Sequence, residues 1–195
     1  MTELTDRNDY LSAGVHIGMR MKTKGMAPFI FKTRPDGLSV LDIEKTDERI
    51  KIAAKFLAPY KDIMVVCRKA NGAKPVKKFA EVVGAKAVTG RFLPGTLSNP
   101  NLDYYTEPDV IIVTDPIADK QAVKEAADKR IPIVAICDTY NDLEFVDLVI
   151  PANNKGKKSL GLIYYLLARE ILKARGEIKK NEEFKYTLDE FTEKE

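Results

Sequence analysis

The sequence predicts an α/β protein, in which a doubly wound, mainly parallel sheet carries helices on both faces. Three short apolar runs, at 62–67, 110–115 and 131–138, support this prediction because they are rich in β-branched residues. Helical stretches separate the runs, and strands that alternate with helices are typical of parallel sheets. The second run contains four consecutive β-branched residues between two prolines, as a strand covered on both faces requires. We therefore place it in the middle of the sheet.

Length and composition exclude several classes of protein. A chain of 195 residues, of which 45% are hydrophobic, suits one domain that buries a core without disulfides. No apolar run approaches the ~20 residues that span a bilayer, and the polar start lacks the apolar core of a signal peptide. Cys67 and Cys137 fall in two of the apolar runs, so we interpret them as reduced core residues of a cytosolic protein. Two distant cysteines and one histidine do not make a zinc site.

Charge is unevenly distributed along the chain. The formal net charge is +3, but residues 176–195 contain four lysines against seven acidic residues, and the remainder carries +6. Two stretches, 13–34 and 67–80, each contain five basic residues and no acidic residue. Such stretches indicate a polyanionic partner, and a solvated surface is the alternative interpretation of either one.

The first third of the chain predicts a loop, a strand pair and a helix. Residues 14–26 have neither helical nor strand periodicity, and their glycines and alternating Met and basic residues favour an exposed loop. Segments 29–34 and 38–43 predict two strands joined by a Pro-Asp-Gly turn. Apolar residues then recur at helical spacing over 50–57, and Thr46 is expected to cap that helix.

The middle third predicts a strand, a basic helix, a short strand and a loop. The helix follows strand 62–67, and Asn71 and Gly72 at its start either hold a phosphate or simply connect the two elements. After the short strand at 85–88, loop 89–100 has the glycine spacing of a nucleotide P-loop. It lacks the lysine followed by Ser or Thr that the motif requires, so we exclude a P-loop.

The last third predicts two helices and two strands. A helix over 118–130 precedes the strand 131–138, and a short strand over 146–150 ends at a proline. Apolar residues at helical spacing then predict a helix that Ser159 caps and that ends at Gly176.

Little in the sequence indicates catalysis. His16 is the one histidine, so a serine or cysteine hydrolase would depend on a basic loop for its base. Asp115 and Asp138 follow two of the strands, where parallel sheets bind ligands, but Asp equally caps the following turn. No glycine-rich dinucleotide motif follows a strand. We therefore predict neither a catalytic residue, nor a metal ligand, nor a cofactor.

Our candidate RNA-binding set is taken from the acid-free stretch 13–34, from the basic loop 155–158 and from the loop 89–100 that follows a strand. Arg20, Lys22 and Lys24 are expected to clamp phosphates, with His16 stacking or hydrogen bonding nearby. Long cationic side chains in loops suit phosphate contacts, which supply position and affinity. A mobile, solvated basic loop is the alternative. The complete set comprises His16, Arg20, Lys22, Lys24, Arg34, Arg91, Lys155, Lys157 and Lys158.

Several motifs in register resemble the family of the second protein of the small ribosomal subunit. The resemblance covers roughly residues 8–177 and favours the archaeal and eukaryotic branch, whose eukaryotic member is also called the laminin-receptor precursor. The bacterial branch inserts a coiled coil after the loop that ends at Asn99, and that insertion is missing here. The matching segments are Ala13–Gly18, Gly90–Asn99, Val113–Pro116, Ile131–Pro132 and Ile150–Gly156.

The resemblance implies a flavodoxin-like fold and a structural role in the cytoplasmic small ribosomal subunit, on its solvent side near the head–body junction. The implied partners are ribosomal RNA and neighbouring ribosomal proteins, with no DNA, no membrane and no catalysis. The chain lacks a counterpart of the eukaryotic C-terminal extension, so laminin binding is not carried over.

The domain prediction is a single RNA-binding α/β domain over 1–176 and a charged tail over 177–195. The tail lies outside the matching region and has no clear periodicity, so we expect it to be mobile in the free protein and to order on a partner. Two other functions compete with the ribosomal one. The first is an enzyme that binds a nucleotide or phosphosugar at the strand ends near Asp115 and Asp138. The second is a protein–protein adaptor that uses the acidic tail.

Overall fold

The structure is a computed structural model that describes residues 4–192, without the side chain of Glu182. No helix in that range is both long and apolar enough to cross a membrane. Two short 3-10 turns, Ala27–Phe29 and Asn181–Glu183, accompany the regular elements. These elements are α1 (Arg7–Ser12), β1 (Ile30–Thr33), β2 (Ser39–Leu41), α2 (Ile43–Leu57), β3 (Ile63–Cys67), α3 (Ala70–Val83), β4 (Lys86–Thr89), β5 (Val110–Val113), α4 (Lys120–Lys129), β6 (Ile133–Cys137), β7 (Leu148–Pro151), α5 (Lys157–Arg175) and α6 (Leu188–Phe191).

Five parallel strands form the main sheet, in the order β4-β3-β5-β6-β7. The central position of β5 is confirmed, and Val65 of β3 pairs with Ala87 on one side and Ile112 on the other. The direction of winding reverses between β3 and β5. This is the position at which ligands bind in open α/β sheets, at the carboxyl ends of the strands. Strands β1 and β2 form a separate antiparallel hairpin.

Each face of the sheet contributes to its own apolar core. Val65, Ile112 and Val134 point to the side covered by α2, α3 and α5. Their neighbours along the strands point to the other side, where α4 and the β1–β2 hairpin pack. Side chains alternate between faces along a strand. Two consecutive strand residues are therefore both apolar only when both faces of the sheet are covered. The doubly wound prediction is therefore confirmed.

The two predicted helix caps are wrong. The N-cap of α2 is Asp42, whose carboxylate accepts a hydrogen bond from the Glu44 amide at 3.1 Å. Thr46 lies one turn further on and donates its hydroxyl hydrogen to the Pro151 carbonyl at 2.6 Å. Helix α5 begins at Lys157 without a side-chain cap, and the Ser159 hydroxyl instead donates to the Asn153 carbonyl at 2.7 Å. The Thr46 hydroxyl joins α2 to the last residue of β7, and the Ser159 hydroxyl joins α5 to the chain that follows β7. The local sequence does not reveal these tertiary contacts.

Arg175 joins the ends of two helices to α5. Its guanidinium donates to the carbonyls of Val83 at 2.7 Å, Tyr60 at 3.0 Å and Ala58 at 3.3 Å. Carbonyls at helix C-termini lack intrahelical partners, so one side chain satisfies groups at the ends of α2 and α3.

The C-terminal segment, residues 177–192, packs against α3 and α5. Phe191 is fully buried, and its ring lies 5.7 Å from that of Tyr165. Gly161 of α5 admits the segment, because a Cβ there would lie 2.5 Å from the Thr192 side chain. The structure thus gives a packed conformation to a segment for which we expected mobility, and residues 193–195 of the predicted tail lie outside the described range.

Candidate nucleic-acid interface

The N-terminal loop, residues 14–26, crosses the carboxyl end of β6. The Met19 amide donates to the Thr139 hydroxyl at 2.9 Å, and the Thr23 amide donates to the Thr139 carbonyl at 2.9 Å. Gly18 permits this approach, because a Cβ there would lie 2.5 Å from the Thr139 methyl group. The loop is therefore fixed to the sheet through its backbone, and these contacts do not use its cationic side chains.

Arg20, Lys22 and Lys24 are all exposed on this loop. The ion pairs found among residues 4–192 include none of the three. The main chain of the loop is held by hydrogen bonds, whereas its long cationic side chains form no ion pair among the described residues. These side chains can therefore reach irregularly placed RNA phosphates without any rearrangement of the loop's main chain.

The β1–β2 hairpin extends this surface on one side. The Ser39 amide donates to the Met19 carbonyl at 3.0 Å, and Gly18 donates to the Ser39 carbonyl at 3.0 Å. Arg34 at the hairpin turn is exposed and pairs with Asp36 at 3.3 Å. His16 of this loop is half-buried, and its carbonyl accepts a hydrogen bond from the Leu41 amide of the hairpin at 2.8 Å. Its ring Nδ1 has no partner among the described residues. Its position favours a role in shaping the loop over stacking on a base.

The chain that leaves β7 extends the surface on the other side. The Asn153 side chain donates to the Gly14 carbonyl at 3.1 Å, which ties this segment to the N-terminal loop. The Lys155 ammonium lies 4.2 Å from the centre of the Tyr140 ring and 3.3 Å from the Met19 sulfur. Lys157 and Lys158 follow in the exposed first turn of α5. Sequence reasoning did not include Tyr140, which holds Lys155 in place through a cation–π contact.

Arg91 is not part of this group. It is exposed after β4, whereas Lys155 follows β7, at the opposite edge of the sheet. Four interstrand spacings of about 4.8 Å separate these strands by roughly 19 Å. Arg68 is exposed between them, directly after β3, and was missing from our candidate set. Its position in the sequence could have identified it, because Arg68 directly follows the predicted strand 62–67 and belongs to the acid-free stretch 67–80.

A buried network fills the crevice at the point where the winding reverses. Asp115 pairs with Lys69 and accepts hydrogen bonds from the Tyr140 hydroxyl at 2.6 Å and the Asn141 amide at 2.8 Å. Burial alone raises the pKa of the Asp115 carboxyl, but these three partners together lower it below its ordinary value. No group of three or more His, Cys, Asp or Glu residues within 4–192 is arranged to hold a metal ion. The carboxylates that could have formed a ligand pair instead bind the protein itself.

Loop 89–100 also gives its amides to a side chain. Glu125 of α4 accepts hydrogen bonds from the Gly95 amide at 2.8 Å and the Leu97 amide at 3.0 Å. Burial raises the pKa of Glu125, but its hydrogen bonds, led by one from Gln121, lower it below the ordinary value. Amides that would cradle a phosphate in a P-loop therefore bind an ionised carboxylate here, which agrees with the exclusion of that motif.

Asp138, the first residue after β6, differs from Asp115 in having no ion pair within residues 4–192. Its carboxylate accepts a hydrogen bond from the Thr139 amide at 2.6 Å. The residue as a whole is 1% exposed. Burial raises its pKa from 3.8 to about 6. Folding therefore favours the protonated carboxyl, and its contribution to the free energy of unfolding decreases as the pH rises from about 4 to about 6.

Asp138→Asn is expected to remove this pH dependence, because the amide is neutral throughout. Relative to the unsubstituted protein, the variant should gain up to about 3 kcal/mol in free energy of unfolding between pH 4 and pH 7. Urea unfolding at the two pH values measures this change. Asp142→Asn, at an exposed carboxylate nearby, is the control and should give no such gain. Equal pH dependence in both variants would contradict the buried charge at Asp138.

Comparisons with known proteins agree with this architecture. The ribosomal protein S2 family matches residues 10–103 and 101–174. The small ribosomal subunit protein uS2 of Thermoplasma acidophilum is 55% identical over 190 residues, covering 96% of each chain. The protein of the same name from Picrophilus torridus is 54% identical, over 96% of this chain and 95% of the relative. That from Staphylothermus marinus is 58% identical over 169 residues, 86% of this chain and 77% of the relative. Matches of this identity and extent establish that the chain belongs to the ribosomal protein S2 family, as a member of the archaeal type.

Proposed function

We propose that this chain is a structural component of the small ribosomal subunit whose main RNA contact is the loop surface. We define the loop surface as Arg20, Lys22, Lys24, Arg34, Lys155, Lys157 and Lys158. The observation that supports it is the set of hydrogen bonds that joins the N-terminal loop to the hairpin and to the segment after β7.

The family assigns the chain a structural role in translation, within the ribosome of the cytoplasm, and not an enzymatic one. Ribosomal RNA and other ribosomal proteins are accordingly its partners. We place the RNA on the loop surface because it collects cations from three separate parts of the chain, and phosphate contacts supply most of the affinity for RNA. Arg68 and Arg91 form a second, separate RNA contact, also at the carboxyl ends of the strands. His16 contributes by holding the loop against the hairpin.

Lysine acetylation of the free protein and of assembled small subunits tests this placement. Lys22, Lys24, Lys155 and Lys158 should become several-fold less reactive in the subunit, as measured by mass spectrometry of each peptide. Three exposed lysines at the opposite end of the strands, Lys55, Lys61 and Lys86, are the matched control. Protection of the control lysines without protection of the loop surface would contradict the proposed orientation.

A further inference from the structure

Phe145, in the connection between β6 and β7, is an exposed aromatic residue with a strained backbone. The residue is 58% exposed, and its φ is +63°. A bulky side chain rarely adopts the left-handed conformation, which glycine or asparagine accepts more readily. The core of the protein does not require this ring, so both its exposure and its strain remain unexplained by folding.

Two shallow grooves meet at this ring. The first, of about 510 Å³, runs along α4 and is lined by Ile117, Val123 and Ala127. The second, of about 490 Å³, runs past Ala127 to Phe56 and Tyr60 at the end of α2. Ile117 is itself 52% exposed. Phe145 thus forms a ridge in an apolar surface that runs from α4 to the end of α2. Contiguous exposed apolar surface of this kind marks protein interaction sites.

The charge of the surrounding chain is opposite to that of the loop surface. Residues 131–154 contain four acidic residues and no basic residue. Asp142, Glu144 and Asp147 are all exposed. Asp142 and Glu144 line the first groove together with Asp128 of α4, and Asp147 lines the second. The grooves also hold three cations, Lys120 and Lys124 in the first and Arg130 in the second, against the four carboxylates. The three exposed carboxylates within three residues of Phe145 repel RNA phosphates and attract lysine and arginine side chains.

We propose that the Phe145 ridge and its grooves bind a lysine- and arginine-rich segment of another protein, with an apolar side chain of that segment beside the ring. This inference rests on the proposed function, because the partner is sought in the assembled small subunit. The aromatic ring supplies the apolar anchor, and the carboxylates of Asp142, Glu144 and Asp147 form the charged rim. The strain at Phe145 is retained because it presents the ring at the crest between the grooves.

Photo-crosslinking from position 145 tests the identity of the occupant. The chain carrying p-benzoylphenylalanine in place of Phe145 is incorporated into small subunits, which are purified by sedimentation and irradiated. A crosslink to a protein segment rich in Lys and Arg supports the proposal. A crosslink to ribosomal RNA, a crosslink to a second copy of this chain, or no crosslink in subunits that contain the chain would overturn it. Absence of the chain from small subunits would overturn the proposed function, and this inference with it.

Two variants separate binding from stability. Phe145→Asn removes the ring and suits the positive φ, so the Tm of the free protein should rise by about 2–4 °C relative to Phe145→Ala. Both variants should lose at least about tenfold in competition with the unsubstituted chain for incorporation into small subunits. Leu93→Ala, at an exposed apolar residue in loop 89–100, is the control and should compete equally. Undiminished incorporation of both Phe145 variants would overturn the proposal whatever the change in Tm.

Discussion

Replacing Arg20, Lys22 and Lys24 together with alanine is expected to lower the affinity for small-subunit ribosomal RNA by about 100-fold at 0.1 M salt. Each phosphate contact releases roughly 0.7–0.9 counterions, and each released ion contributes about one decade of affinity at that concentration. The slope of log affinity against log salt concentration should flatten by about two units if all three side chains contact phosphate. The fold should persist, because all three side chains are exposed.

A triple variant with the same change of charge is the control for this experiment. Lys55, Lys61 and Lys86 are exposed at the ends of α2 and β4 that face away from the loop surface. Their joint replacement with alanine also removes three positive charges, so it reports the effect of net charge alone. Filter binding over a range of salt concentrations compares the two variants. Equal salt slopes in both would contradict a local role for the N-terminal loop and would favour the alternative of a mobile, solvated loop.

The sheet was predictable because its strands carry the signal of burial in their own residues. Four consecutive β-branched residues at 110–113 require cover on both faces, and β5 is indeed the central strand. The helix caps were less predictable, because Thr46 and Ser159 use their hydroxyls in contacts across the fold. A local pattern shows which residues are able to cap a helix, but it does not show which carbonyl lies nearby.

The candidate interface divides in the same way. Charge and loop character could be read from the sequence, and Arg20, Lys22 and Lys24 are exposed as loop residues should be. Mutual position could not be read, because it depends on the order of strands in the sheet. Arg91 is distant from Lys155 for this reason, although each follows the carboxyl end of a parallel strand. Aromatic partners such as Tyr140 were missed because their role appears only when the neighbouring strand is known.

The C-terminal segment was assigned mobility because its apolar residues have no helical or strand period. In the structure these residues pack from an irregular chain instead. The Phe184 ring lies 5.2 Å from Tyr165 and 5.4 Å from Tyr186. The Lys78 ammonium pairs with Glu190 at 3.0 Å and lies 4.7 Å from the centre of the Tyr186 ring. The acidic and aromatic residues of this segment thereby complement the basic outer face of α3. Local periodicity does not reveal such a tertiary contact.

Phe191→Ala is expected to detach this segment from the domain. Phe191 is 0% exposed and packs in the core that α3 and α5 share, where loss of a phenylalanine side chain costs about 3–5 kcal/mol. Since the segment is C-terminal, much of this loss should appear as local release: amide hydrogens between 184 and 192 should exchange at least about 100-fold faster. The Tm should also fall, by about 5–10 °C, because the faces of α3 and α5 under the segment become exposed.

Leu188→Ala tests whether burial of Phe191, and not any apolar side chain of α6, holds the segment. Leu188 lies in the same helix but is 37% exposed, so its replacement should change the exchange rates and the Tm only slightly. Fast exchange across 184–192 in the unsubstituted protein would contradict the packed conformation and support the mobile tail expected from the sequence. Slow exchange that Phe191→Ala abolishes and Leu188→Ala preserves would show that the domain of the free protein extends to the end of α6, because a tail that orders only on a partner has no protection to lose.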